Sequence, residues 1–357
     1  MTAGSTQPGP GPARAASGQA GPPDAGSLAE IELAAARRPV DTFGQGCVIV
    51  CNHLVRIYLV EGVEVQALQG LDLEVAPGEL TALIGASGSG KSTLLNILSG
   101  MDRPTAGQVT VAGHDLLTMK GKDRLQYRRE TVGFIWQQTS RNLLPYLTAA
   151  ENVAVPMSFT GVSRRARAAR AASLLEMLGV ASCRDRLPAE MSGGEQQCAA
   201  IAVALANNPK VVLADEPTGE LDTATAAHVF SALRTVSAEA GVTVLVVTHD
   251  AEVAEHVART LAIRDGRTST EVLRRATAGG LVDAGAGEEY AVLDRAGRLQ
   301  LPGEFTEALA LRDRVRLALE PDHIGVWPDT VPPARDAERP GRHRQAGPGR
   351  SGRREGE

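Results

Sequence analysis

Aromatic side chains are scarce in this chain: Phe, Tyr and Trp together make up 3% of its 357 residues. A core must therefore rest on Leu, Val, Ile and Ala, and the 43% hydrophobic content supplies enough of them. The length suits about two domains. Cysteine is scarce as well. Cys47, Cys51, Cys183 and Cys198 show no metal-ligand spacing, which argues against a zinc site and for reduced thiols. No apolar run approaches the ~20 residues that span a bilayer, and the Gly/Pro/Ala-rich N-terminus has no apolar signal core. The expectation is a chain that stays inside the cell and meets a membrane only through a partner. Excess positive charge is also missing. A formal net charge of -5 argues against a chain devoted to nucleic acid.

What the chain does have is glycine in one telling place. Gly85-Ala86-Ser87-Gly88-Ser89-Gly90-Lys91-Ser92-Thr93 fits the phosphate-loop pattern G-x-x-x-x-G-K-[ST] at every required position. It follows the apolar run Leu80–Ile84 and opens the helix-like run Ser92–Leu98. Glycines let the backbone turn sharply and bring its N–H groups against phosphate oxygens. The helix N-terminus adds donors and partial positive charge. Lys91 is expected to reach the β- and γ-phosphates as a point charge, and Ser92 to place its hydroxyl on Mg2+. Further on, Val211-Val212-Leu213-Ala214-Asp215-Glu216 is an apolar strand ending in two carboxylates. Asp215 suits Mg2+ and Glu216 suits polarising an attacking water. Two surface acids at a strand end are the plainer reading, and the loop upstream weighs against it.

Residues 1–45 are rich in Gly, Pro and Ala and are expected to be disordered, with a short helix possible at 27–38. Strands are expected at Val48–Val50, Leu54–Leu59, Leu71–Val75, Val109–Val111 and Val132–Ile135. Residues from about Thr148 to Leu187 read as helices, and the arginines of Arg164–Leu178 as a solvated face. Val211–Ala214 and Thr243–Val247 are continuous apolar runs, as in parallel strands buried on both faces. Strands alternating with helices imply an α/β core over residues 46–270. A linker is expected at 271–288, a small β-rich unit at 289–329 and a disordered Arg-rich tail at 330–357.

Further motifs carry a family resemblance. Met191-Ser192-Gly193-Gly194-Glu195-Gln196-Gln197 resembles the Leu-Ser-Gly-Gly-Gln signature of ATP-binding cassette (ABC) proteins, with Met191 and Glu195 as departures. Physically it is a second helix N-terminus with exposed donors. The resemblance implies a phosphate-loop fold with a RecA-like core, an antiparallel β subdomain and an α-helical subdomain. It also implies that Ser192, Gly193, Gly194 and Glu195 contact the nucleotide held by an opposite subunit, so that a homodimer or pseudo-dimer sandwiches two ATP. Gln137, with Gln138 adjacent, resembles the glutamine that senses Mg2+ and links to the membrane partner. His249, after the run Val246-Val247-Thr248, resembles the switch histidine at the γ-phosphate. Gly219-Glu220-Leu221-Asp222 resembles the loop whose Asp222 reaches across the dimer. Tyr58 resembles the aromatic that stacks on adenine, or is an ordinary strand tyrosine.

The expected nucleotide set is therefore Tyr58, Gly85–Thr93, Ser192–Glu195 and Asp222. The metal set is Ser92, Gln137 and Asp215, and the catalytic set Lys91, Gln137, Glu216 and His249. The run Ala214–Gly219 and Leu143-Leu144-Pro145 further resemble the branch serving lipoprotein release, macrolide export and the cell-division ATPase-permease pair. That branch commonly has Asn at Glu220 and Arg at Cys198. The resemblance implies an ATPase, peripheral on the inner face of the cell membrane, whose segment from Ser140 to Pro156 docks a separate permease.

The C-terminal order of strand, turn, strand, short helix and hairpin around Pro321-Asp322 resembles the AbrB-like swapped-hairpin domain. Such a unit is too small for a good core alone, and pairing two copies would supply one. Arg295 and Arg298 occupy positions that bind DNA in that family, but Asp313, Glu320 and Asp322 dilute the charge. Dimer-holding is the expected role, and nucleic-acid binding the alternative. A soluble ABC ATPase of repair or translation is the rival to the transporter reading. The ordinary helical stretch between Ser92 and Ser192, and the single cassette, weigh against it.

Overall fold

A computed structural model describes residues 43–250, 257–274, 287–312 and 314–328. The expected N-terminal disorder, the helix at 27–38 and the Arg-rich tail lie outside these residues.

The two strands expected at Val48–Val50 and Leu54–Leu59 are one strand, β1 (Ile49–Val60). A bulge at His53 hides the continuity. Its backbone is left-handed, with φ 51°, and its N–H donates to Asp72 Oδ1 at 2.6 Å. β1 returns as β2 (Val63–Val75) through the two-residue turn Glu61-Gly62, both at positive φ as such hairpins require. β3 (Leu80–Ile84) leads through the glycine-rich loop into α1 (Lys91–Leu98). β4 (Ala106–Val111) and the two-residue β5 (His114–Asp115) complete an antiparallel sheet in the order β2-β1-β4-β5. Then come α2 (Gly121–Gln126), a five-residue π-turn at Tyr127–Thr131, and β6 (Val132–Ile135).

Three helices follow: α3 (Ala149–Ser158), α4 (Arg164–Met177) and α5 (Gly193–Leu205). Thr148 and Glu151 form a reciprocal capping box on α3, and Ser163 caps α4. In α4 Arg164 and Arg165 are exposed and Ala171, Leu174 and Leu175 buried, but the arginines do not form one solvated face: Arg167 and Arg170 are half-buried, and Arg170 donates to Asn208 Oδ1 at 2.5 Å. β7 (Val211–Asp215), α6 (Thr223–Ala240), β8 (Thr243–Thr248), β9 (Arg259–Arg264) and β10 (Arg267–Leu273) finish the main body.

The central sheet, closed at one edge by β11 (Glu288–Ala291), runs β11-β10-β9-β3-β8-β7-β6. β9, β3, β8, β7 and β6 are parallel, and β10 and β11 are antiparallel additions. Its inner strands are apolar on both faces. Val211, Leu213, Leu245 and Val247 pack with α1 and the antiparallel sheet. Val212, Ala214, Val244 and Val246 pack with α6 and the helical part. Alternation in a strand thus divides each continuous apolar run between two cores. Aromatics contribute little: Tyr127 and Phe230 are the ones among the largest fully buried side chains. The Tyr127 hydroxyl donates to Leu98 O.

The C-terminal stretch departs from the expected self-contained unit. β11 (Glu288–Ala291) pairs with β10, Thr270 opposite Ala291 and Leu273 opposite Glu288. The expected linker therefore begins and ends inside strands, and residues 275–286 lie outside the described residues. An edge strand such as β10 offers a row of free N–H and C=O groups, and β11 satisfies one side of it. Asp294 then ties Arg298 Nε at 2.6 Å, and Arg267 lies 3.7 Å from the same carboxylate. After α7 (Gly303–Ala308), β12 (Val315–Leu319) and β13 (Ile324–Pro328) form a separate hairpin. Its register puts Val315, Leu317, Leu319, Ile324, Val326 and Pro328 on one face, with Arg316 over Trp327 on the other. Among the described residues no helix is long and apolar enough to cross a membrane.

Candidate functional site

Sheet order assembles the site. β3, β8 and β7 are parallel neighbours, with Ile84 opposite Thr248 and Asp215 opposite Val247. Their carboxyl ends therefore release the glycine-rich loop, His249 and Glu216 at one edge, the usual binding edge of such sheets. β6 adjoins β7, with Ile135 opposite Ala214, and brings Gln137 to the same edge.

The loop is held open for an anion. Gly90 begins α1 at φ 105°, and a Cβ there would lie 2.6 Å from Ala67 O. No side chain caps α1 and no acid stands in its first turn, so its donors face no internal competitor. Lys91 Nζ donates to Gly85 O at 2.6 Å and to Ala86 O at 2.8 Å. Burial lowers the Lys91 pKa from its usual value, while Glu216 and Asp215 act in the opposite direction. Ser87, Gly88, Gly90, Lys91, Ser92, Thr93, Glu216 and His249 line one cavity of about 440 Å3 together with Ala67.

Glu216 is set by backbone strain. It is a non-glycine residue at φ 46° whose N–H donates to Val247 O at 2.8 Å. Its Oε1 lies 2.8 Å from His249 Nδ1. A Cβ placed on Gly219 would lie 3.2 Å from Gln137 Nε2 and 3.4 Å from Glu216 Oε2, so amide and carboxylate share one neighbourhood. Asp215 is more enclosed. Burial first, then Glu216, raise its pKa, against Lys91 and Arg141.

The signature residues lie apart from this cavity's lining. Ser192 caps α5: its Oγ accepts from Glu195 N at 3.3 Å, and Glu195 Oε2 accepts from Ser192 N at 2.7 Å. Glycine is required at 194, where a Cβ would lie 2.4 Å from Thr225 Cγ2. Asp222 caps α6, accepting from Thr225 N at 3.0 Å and Thr225 Oγ1 at 2.7 Å, so its carboxylate is engaged within its own chain. Tyr58 is also outside the cavity lining. Its hydroxyl donates to Asp102 Oδ2 at 2.7 Å, and the Arg56 guanidinium lies 4.2 Å from its ring centre. Cys198 is no surface contact: it is fully buried in the helical core with Cys183. Sequence reasoning missed Ala67, Asp102 and Arg141, which carry no motif, and Asn142, whose side chain clips Trp136 N and Phe134 O at 2.9 Å ahead of Gln137.

The residues present fit a nucleotide with a hard divalent cation. Ser92, Gln137 and Asp215 offer only hydroxyl, amide and carboxylate oxygens, the donor set such a cation prefers beside phosphates. Ser89 Oγ is buried without a hydrogen-bond partner in the loop itself. Among the described residues no cluster of three or more His, Cys, Asp or Glu forms a self-sufficient metal cage, so phosphate oxygens would complete the shell.

Residues 68–219 match the family model described as ABC transporter. The chain is 48% identical over 219 residues to the lipoprotein-releasing system ATP-binding protein LolD 2 of Caulobacter vibrioides, covering 61% of this chain and 95% of that protein. It is 42% identical over 255 residues to the macrolide export ATP-binding/permease protein MacB of Escherichia coli K12, covering 71% of this chain but 38% of that longer protein. Among solved structures, the dimeric structure of MJ0796, a bacterial ABC transporter cassette, is 37% identical with a TM-score of 0.58, covering 64% of this chain and 100% of that one. A post-hydrolysis dimer of the same cassette with ADP and Pi is 36% identical, with the same TM-score and coverage. The likeness of the C-terminal stretch to a swapped-hairpin domain gains no support from these relatives. At this identity and coverage, in sequence and in fold, this chain belongs to the ABC transporter family, as an ATP-binding and ATP-hydrolysing cassette subunit.

Proposed function

We propose that two copies of this chain clamp two ATP molecules, each between residues Gly85–Thr93 of one protomer and Ser192–Glu195 of its partner. One observation carries this reading. Lys91, Ser92, Glu216 and His249 line a single cavity, whereas the signature tip does not belong to that lining. A site whose two anion-binding halves lie on different surfaces is completed by a second copy.

On binding, Lys91 exchanges the carbonyls of Gly85 and Ala86 for the β- and γ-phosphates. Ser92, Gln137 and Asp215 would hold Mg2+, which would offset phosphate charge and polarise the γ-phosphate oxygens. Glu216 takes the proton of the attacking water, and the histidine 2.8 Å from it orients the carboxylate. Tyr58, fixed by Asp102 and Arg56, is the platform for adenine. Asp222 acts by shaping the turn between Gly219 and α6, where its carboxylate is already bonded. Loss of the γ-phosphate removes the charge that bridges the halves, and the pair reopens.

The work is passed to a separate membrane permease, which brings this chain to the cytoplasmic face of the membrane and determines what is moved. The segment from Ser140 to Pro156 adjoins a groove of about 560 Å3 lined by Arg128, Arg129, Arg141, Phe134 and Phe159 among others. These cations suit an acidic cytoplasmic helix of that permease. The test is Glu216→Gln with saturating Mg-ATP in light scattering. A dimer that dissociates when nucleotide is removed is expected, and a persistent monomer would sink the proposal.

A further inference from the structure

The tip of α5 presents an electrostatic problem. In the reading above it receives an anionic phosphate, yet the third residue of the helix is Glu195. Its carboxylate is engaged in the capping box that holds Ser192, and a bare carboxylate there would repel the group the tip is meant to bind. The hydrogen bond from Ser192 N also keeps the Glu195 pKa below its usual value, so the charge is present at neutral pH. Cys198, one turn further along the helix, brings no cation.

We propose that Arg186 is a positioning residue of the signature tip, holding and neutralising Glu195 so that the α5 N-terminus can accept the partner-bound phosphate. Arg186 Nη1 lies 3.5 Å from Glu195 Oε1, the oxygen opposite the one engaged by Ser192. Arg186 is anchored on several sides. Its N–H donates to Cys183 O at 3.0 Å, its carbonyl accepts from Ala149 N at 2.9 Å, and its Nη1 lies 3.9 Å from Cys183 Sγ. The backbone of Arg186 is thereby fixed from the start of α3 as well as from the turn before α5, which sets where its guanidinium starts from. The inference rests on the two-copy reading of the site.

Both side chains are partly open to water, 46% and 31% exposed. Such a pair contributes little to folding. Its effect belongs to nucleotide-driven association, where the carboxylate faces a multiply charged ligand. The experiment is a two-by-two set, Arg186→Gln and Glu195→Gln singly and together, in the Glu216→Gln background. ATP-driven dimerisation is followed by light scattering, and thermal melting is measured for each. Arg186→Gln is expected to raise the half-saturating ATP concentration roughly tenfold, with little change in melting temperature and a smaller effect at high salt. Adding Glu195→Gln removes the uncompensated charge and is expected to lower that value again, by about fivefold or more from that of Arg186→Gln alone.

A change of less than twofold in Arg186→Gln overturns the proposal. So does a defect that Glu195→Gln fails to relieve, which would mark Arg186 as merely structural. A Glu216→Gln protein that stays monomeric would instead bring down the two-copy reading, and this inference with it.

Discussion

Glu216 and His249 decide whether this site turns over or merely binds. Their 2.8 Å contact places a base at the end of β7, while Lys91 stays on the carbonyls of Gly85 and Ala86 until a phosphate replaces them. Removing only the basicity separates the two functions. Glu216→Gln should leave ATP affinity intact in equilibrium binding and lower steady-state hydrolysis by about 10²–10⁴-fold, the usual weight of a general base. Cys198 makes the contrasting case of a polarisable group that does no chemistry. Burial pushes its thiol up to about 11, from an ordinary 9.0. The unfolded thiol therefore ionises first, so the contribution of this group to stability is whole below pH 9.0 and fades as pH rises toward 11. Over that interval the melting temperature of the native protein should fall more steeply than that of Cys198→Ala. Parallel curves would show that the thiol does not titrate as its burial implies.

Individual elements differ in how they hold the site. α1 depends on glycine geometry and leaves its N-terminus uncapped, whereas α3, α5 and α6 are closed by their own side chains. Asn152 is the clearest element-scale device. It is buried in α3, its Nδ2 donates to the carbonyls of Leu144, Leu147 and Thr148, and its Oδ1 accepts from Leu144 N at 2.7 Å. Asn152→Ala would leave two backbone groups, Leu144 N–H and Leu147 C=O, without these partners. It should cost about 2–4 kcal/mol in chemical denaturation, on the scale of 1–3 kcal/mol for each unsatisfied group. Faster amide exchange over Leu143–Thr148 should accompany it, and unchanged exchange there would contradict the assignment. Long apolar strands and the helices between Thr148 and Leu187 were legible in the sequence because hydrophobic periodicity is local. The bulge that makes β1 continuous was not, because Asp72, from another strand, stabilises it.

Across the whole molecule, the groove beside α3 and the nucleotide cavity have different linings, and Arg141 of the groove still acts on Asp215. Arg129 lies 5.7 Å from the Phe159 ring centre and Arg141 5.0 Å from that of Trp136, so cations and aromatic faces alternate along the groove region. Replacing Arg128 and Arg129 by Glu should abolish co-purification with a membrane permease while the isolated protein keeps its ATPase activity. Retained co-purification would move the docking surface elsewhere. The motifs alone were enough to name the phosphate loop, the acidic strand end and the signature turn, because each requires particular residues at fixed short spacing. They could not show that β11 joins the cassette sheet, that Cys198 faces inward, or that Arg186 sits against Glu195. Those contacts join residues that chemistry alone does not pair, and the packing of sheet, helices and turns is what brings them within reach.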